Sequence, residues 1–450
     1  MKKILVILTL AAAGTAAAAW WLRPQAPEWT TDSPQALEEF RAGRTAARQL
    51  YHNDALAHYQ RALELDPDFL LAKLMVVQVN GVAGGMVEAE RIAVLVEDLK
   101  AADLTTLTPR ESMLVRFFRA RLAREPEAAQ EVLRDYLAEH PDDPHAVQLS
   151  CGQAMAGGRT REAEECYERL IALDPNWVEA QNLLGYLAMA RGDFADAEEQ
   201  FQKYRYIAPD QANPHDSLGE LYALTGRYDE AGAEFEAAVA AKRDFCASWG
   251  NLVLVALLEH DWDLAEERLV EARRAEGCPE GDLRALECRT AVWKLAVEER
   301  WAEVVERAAP CPEAGDLMVL TYWGAFEAGR DDVAAGVEAK VAALREEVGV
   351  RDPGLVAVDE HLAGVRLLHE RDAGGAVERF RAADAALEFQ SRQWIFKLFN
   401  RRALVRALEA AGQATEAAAL RRELAAVNPH FATPDDHPLP GRTREAAPAR

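Results

Sequence analysis

The side chains from which a catalytic or metal site would be built are plentiful, with 75 acidic residues, ten histidines and six cysteines in 450 positions. Paired carboxylates such as Glu198-Glu199 and Glu266-Glu267 could share general acid and general base work. They recur at one phase of the chain, however. A repeated pair marks a solvated helix face, whereas an active site occurs once. His361 and His369 stand at a helical spacing that brings both to roughly one face, near Asp359 and Glu360. Two histidines and one acid fall short of a metal's ligand set, so no metal is expected. A Gly-rich phosphate loop ending in Gly-Lys-Ser/Thr, His-Glu-x-x-His, Cys-x-x-Cys and Gly-x-Ser-x-Gly are all missing from the sequence. The chain reads as non-catalytic and without a cofactor.

The cysteines form an even set, and their spacing selects none of the fifteen possible pairings. Cys151 occupies a column that holds Gly185 and Gly219 in later segments. It therefore reads as a small packing residue rather than a ligand or half-cystine. Cys278 and Cys311 lie in matching Cys-Pro-Glu turns, which makes them candidates for a bond to each other or to Cys288.

The elements that would position these groups repeat every 34 residues. Ala163, Ala197, Ala231 and Ala265 share one column, and Tyr167, Phe201, Phe235 and Leu269 share another. Gly158, Gly192 and Gly226 close a first helix, while Pro175 and Pro209 end a second. Each unit is a helix pair too small to bury its own apolar face. Neighbours must stack, which predicts an all-α, right-handed α-solenoid of antiparallel helix pairs.

The run Leu184, Gly185, Gly192, Phe194, Ala197, Phe201, Pro209 resembles the tetratricopeptide repeat family. On that ruler residues 1–22 are a signal peptide or N-terminal membrane anchor and 23–35 a linker. N-terminal units fill 36–109, a regular array 110–279, and degenerate units 280–429, roughly eleven units in all. Residues 430–450 form a disordered tail. The stretches ALELDPDFLLA, LTPRESMLVRFFRARL and YLAEHPDDPHA also resemble repeats attached to bacterial serine/threonine kinases and winged-helix regulators. That implies, as an alternative, a sensor or regulatory module acting without its own kinase domain. An enzyme with an unrecognised site is the remaining alternative.

The family resemblance implies a ligand groove on the inner face made by first helices. Its candidates here are Phe118, Gln148, Asn182, Tyr186, Asp216, Glu220, Asn251 and Leu254, a mixture suited to an extended protein or peptide segment. Some family members clamp a terminal carboxylate with Lys and Asn. Only Asn251 matches that pattern, so a terminal carboxylate is not the expected handle. A second candidate surface is the basic aromatic stretch carrying Arg392, Trp394, Lys397, Arg401 and Arg402, which reads either as a docking patch or as a capping helix with a basic rim.

Lys2 and Lys3 precede an uncharged stretch from Ile4 to Leu22, the order of an export signal or of an anchor in the inner membrane. The expected location is the cell envelope, periplasmic or extracytoplasmic, in a bacterium. Removing residues 1–19 takes two of 51 basic residues and leaves 49 against 75 acidic ones, a formal charge of −26. That charge excludes nucleic acid as a partner and favours basic protein segments.

Overall fold

The computed structural model describes residues 29–82, 85–275, 277–311, 315–348, 352–389 and 393–431. Within them the helices form eleven consecutive pairs, closed by a 3-10 turn at Pro429–Phe431. The chain adopts the expected all-α solenoid of stacked antiparallel pairs. First helices begin at Pro34, Leu70, Pro109, Pro144, Glu179, Ala212, Cys246, Glu280, Gly315, Pro353 and Gln393. From Pro109 to Gly315 the interval stays between 33 and 35 residues, then widens to 38 and 40. The regular spacing thus continues past residue 279. It loosens where Asp331–Val348, Pro353–His369 and Gln393–Ala410, at 18, 17 and 18 residues, replace helices of 13 or 14.

Local chemistry sets the helix ends. Thr108 and Glu111 form a reciprocal capping box on Pro109–Leu122, and Asp193, Asp261, Asp352 and Asp372 each cap a helix start with a side-chain oxygen. Gly192 ends Glu179–Arg191 at φ 78°, where an L side chain is strained. Within a pair the helices cross closely at Gly185. A Cβ there would lie 2.4 Å from the Phe201 ring, and Gly43–Tyr59, Gly219–Phe235 and Gly364–Phe380 repeat that contact at the same sixteen-residue offset.

The chain divides into two compact units, residues 1–150 and 151–450. Unit 1 packs Phe40, Tyr59, Phe69, Leu74 and Leu99 in its core. That core takes in Trp29, only 2% exposed, so ordered packing begins inside the segment read as a linker. Unit 2 has one continuous apolar core from Ala188 to Phe431. Phe431 is 1% exposed, and the packed chain therefore runs past Pro429, where the sequence suggested a tail. Residues 1–28, which include the expected signal peptide or anchor at 1–22, and residues 432–450 lie outside the described residues.

All three disulfides lie in unit 2: Cys151–Cys166, Cys246–Cys278 and Cys288–Cys311. Cys151 is consequently a half-cystine, contrary to the reading from its column. It does stand in the close-approach column, fully buried. There it meets Cys166, the neighbour of Tyr167 in the aromatic column, on the facing helix. Cys311 takes Cys288, one of the two partners expected for it, whereas Cys278 pairs with Cys246 at the start of the preceding first helix.

Unit 2 also turns back on itself. Asn428, fully buried, brings its Nδ2 to 3.3 Å from the Ala223 carbonyl and 3.0 Å from that of Leu224. His430 stacks on Tyr228 at 4.6 Å, and Phe389 meets Phe194 edge-on at 5.6 Å. The last pair, Gln393–Ala410 and Ala414–Val427, is thereby joined to pairs some 200 residues earlier.

Candidate functional site

Six of the inner-face candidates lie on three successive first helices of unit 2. Asn182 and Tyr186 lie on Glu179–Arg191, Asp216 and Glu220 on Ala212–Leu224, and Asn251 and Leu254 on Cys246–Leu258. Instead of lining an open groove, most of these groups bond to one another across successive first helices. Ser217 Oγ donates to Asn182 Oδ1 at 2.8 Å, and Tyr186 OH donates to Glu220 Oε2 at 3.0 Å. Asp216 Oδ1 accepts from Ser248 Oγ at 2.5 Å and from Asn251 Nδ2 at 3.1 Å. Asn182, Asp216, Glu220 and Asn251 are all below 10% exposed. Buried polar groups must be satisfied, and here the stack satisfies them internally. Burial, with the Glu220 and Asp216 charges adding, holds the Tyr186 phenol well above its ordinary pKa.

The other candidates lie elsewhere. Phe118 is packed in the core of unit 1 with Leu99 and Val115, because its helix turns that face inward, and it is not a groove residue. Gln148 is half-buried on Pro144–Ala156. Of the basic aromatic stretch, Arg392 lies outside the described residues. Trp394 is 2% exposed. Lys397 Nζ donates to the carbonyls of Asp384 and Leu387, each at 2.7 Å, and Arg401 forms a forked pair with Asp384. Arg402 is half-buried. Lys397 and Arg401 thus fasten the first helix of the C-terminal pair to the end of Ala373–Ala386, so the stretch is the inner wall of a capping pair and not an exposed docking patch.

Where the capping pair faces the first helices of unit 2, a cavity of about 450 Å³ remains. Its walls include Leu254, Trp293, Met318, Val358, Trp394 and Phe396, with Asn251, Arg289, Asp316, Asp352 and Gln393 as polar points. Of the column residues, Asn251 and Leu254 line this cavity. Arg289 grips Asp316 through Nε at 2.6 Å and Nη2 at 3.2 Å. Burial pushes the Asp316 carboxyl up, but the Arg289 charge and hydrogen bonds outweigh it and leave the pKa below the usual range. The Asp316 charge in turn raises the Arg289 pKa. A closed ion pair in an apolar wall supplies a fixed dipole for orienting a guest without a net charge. Among the described residues, no group of three or more His, Cys, Asp or Glu could hold a metal ion.

The column Tyr186, Glu220, Leu254, Arg289 advances by 34, 34 and 35 residues. Arg289 therefore continues the same repeat column one unit beyond residue 279. Trp293, one helical turn further on, follows from the same extension. Asp316 had no such signal, since it enters from the start of the next pair.

Models of the tetratricopeptide repeat match residues 153–212 and 214–245. No curated protein sequence matches the chain. Among solved structures, a thermophilic TPR protein from Thermus thermophilus is similar at 22% identity, over 41% of this chain and all of that one, with a TM-score of 0.35. A tetratricopeptide repeat protein from Parabacteroides merdae is similar at 12% identity, over 67% and 99%, with a TM-score of 0.39. PilW, a type IV pilus biogenesis factor, is similar at 16% identity, over 50% and 89%, with a TM-score of 0.33.

Proposed function

We propose that this tetratricopeptide repeat protein is an exported, non-catalytic scaffold that holds a segment of a partner protein against the cavity of unit 2. Its repeats support a role in protein interaction. The observation that carries the finer reading is the cavity itself, apolar, oriented by the Arg289–Asp316 pair and reached by Asn251 and Leu254. The guest that suits it is a short segment bearing a bulky apolar side chain, flanked by basic residues that suit the acidic exterior. Export is supported by the charged-then-apolar order of residues 2–22 and by the pairing of all six cysteines, since cystines persist outside the reducing cytosol. A membrane tether would rest on residues 4–22. Among the described residues no helix is long and apolar enough to cross a membrane.

Selection from a displayed random-peptide library on the full chain tests the cavity. Enriched peptides should carry a large apolar residue beside Lys or Arg, and should lose tenfold or more in affinity for Leu254→Asp. Gly315→Leu provides a second check at the rim, where an added Cβ meets only Val358 Cγ2 at 3.8 Å. Peptides indifferent to both substitutions would remove the cavity from the reading. Fractionation with N-terminal sequencing of the native protein tests export separately.

A further inference from the structure

Unit 1 carries a buried niche of its own, and it is filled by the chain itself. Residues 29–31, outside any helix or strand, pass the starts of three first helices before the chain enters Pro34–Arg48. Trp29 is inserted to 2% exposure, edge-on to Phe40 at 5.3 Å and to His145 at 5.8 Å. The Arg44 guanidinium lies over its ring at 4.6 Å, and that of Arg110 at 5.9 Å. A cation over an indole face is attractive, so both the walls and the charge of this niche select an aromatic ring. Among the described residues the Trp29 indole N–H has no hydrogen-bond partner, so ring area and ring face, rather than that donor, hold the side chain.

The next residue is read through its backbone. Thr30 N donates to Glu111 Oε1 at 2.6 Å and Thr30 Oγ1 donates to Glu111 Oε2 at 2.6 Å. Thr31 Oγ1 then donates to Asp66 Oδ2 at 2.5 Å. Glu111 is completely buried, and its second oxygen also accepts from Thr108 N at 2.9 Å. Capping its own helix needs only one oxygen of that carboxylate. The other is committed to the incoming segment.

We propose that this niche is a peptide-recognition site for an aromatic–Thr/Ser–Thr/Ser segment, filled in cis by Trp29-Thr30-Thr31 and able to take the same sequence in trans once the cis segment is displaced. The proposal is independent of the unit 2 cavity, with which it shares no residue. Its ligand is an aromatic side chain followed by a backbone N–H and a hydroxyl that, with the Thr108 cap, complete the hydrogen bonding of one carboxylate.

The probe is a fluorescently labelled synthetic peptide of residues 27–33, PEWTTDS, added to the full chain. The intact chain should bind it weakly because the niche is full. A Trp29→Ala/Thr30→Ala chain should bind it at least tenfold more tightly, and adding Glu111→Gln should reverse the gain by tenfold or more, as expected for hydrogen bonds to a charged acceptor. A peptide with Phe in place of Trp should retain binding, whereas one with Ala should not. Amide exchange provides a second readout that needs no vacated niche. In otherwise intact Glu111→Gln the Thr30 amide should lose protection while amides of Leu70–Val82 keep theirs. Equal peptide binding by the intact and vacated chains, or a Thr30 amide unprotected in the intact chain, would overturn the proposal.

Discussion

Units 1 and 2 are built from the same helix pairs but secured by different means. Unit 2 contains all six cysteines and closes them as three disulfides, and its C-terminal pair locks onto Tyr228 and its neighbours. Unit 1 has no cysteine and is tied by polar contacts, chiefly Thr30 of its leading segment to Glu111, and Arg110 to Asp143 between successive first helices. The contrast teaches that the repeat geometry is generic, while the fastening is particular to each unit and decides which conditions undo it.

The largest effect should come from reduction. The disulfides bridge residues 15, 32 and 23 positions apart, and constraining loops of those lengths in the unfolded chain is worth about 3 to 4 kcal/mol each on the chain-entropy account. Dithiothreitol should therefore lower the thermal midpoint of unit 2 markedly and leave unit 1 where it was. Hydrogen exchange resolved by peptide reads the two separately. An equal loss of protection in residues 34–139 would break the comparison.

Much of this organisation was legible in the sequence, and what was legible has a physical reason. The Ala, Gly and aromatic columns record contacts within one helix pair, such as Gly185 on Phe201, and a contact that recurs leaves a periodic trace. Contacts that occur once leave none. The Cys246–Cys278 bond, the seating of Asn428 against Leu224 and the Arg289–Asp316 pair each join particular neighbours or distant pairs. The inner-face residues were recognisable as a column. That they face one another across the stack, as Tyr186 faces Glu220, depends on how closely first helices approach, and residue type does not reveal that distance.

Acid should act on both units, through different histidines. His361 in unit 2 is fully buried, with Nδ1 2.9 Å from Asn400 Oδ1, and burial lowers its pKa to about 4. Asn400 Nδ2 donates to the Phe380 carbonyl, so its oxygen must accept the proton on Nδ1. A folded-state pKa below the unfolded value of 6.5 gives stability that is present above 6.5 and lost as the pH falls toward 4. The full loss is about 3 kcal/mol. In unit 1, His145 is driven to about 3 by burial first and by the Arg44 and Arg110 charges next. Urea titrations between pH 7 and 4 should show both units weakening. His361→Gln should flatten the pH dependence of unit 2 alone, and an unchanged slope there would assign unit 2's acid sensitivity to other groups.

The smallest effect probes what the units share. In both, the turn after a first helix places a residue in the left-handed region, and where glycine is missing the chain uses Leu50 and Arg124 in unit 1, or His260, Glu299 and Arg371 in unit 2. This explains why the glycine signal fades while the pairing persists. A left-handed side-chain residue costs about 1 to 2 kcal/mol, and glycine returns part of that as unfolded-chain entropy. Arg124→Gly at φ 60° and Arg371→Gly at φ 66°, both exposed, should each stabilise their own unit by about 0.5 kcal/mol in urea unfolding. Equal gains would place the difference between the units wholly in their fastenings. A gain in one unit only would show that the turns, too, are stressed differently by what each unit is tied to.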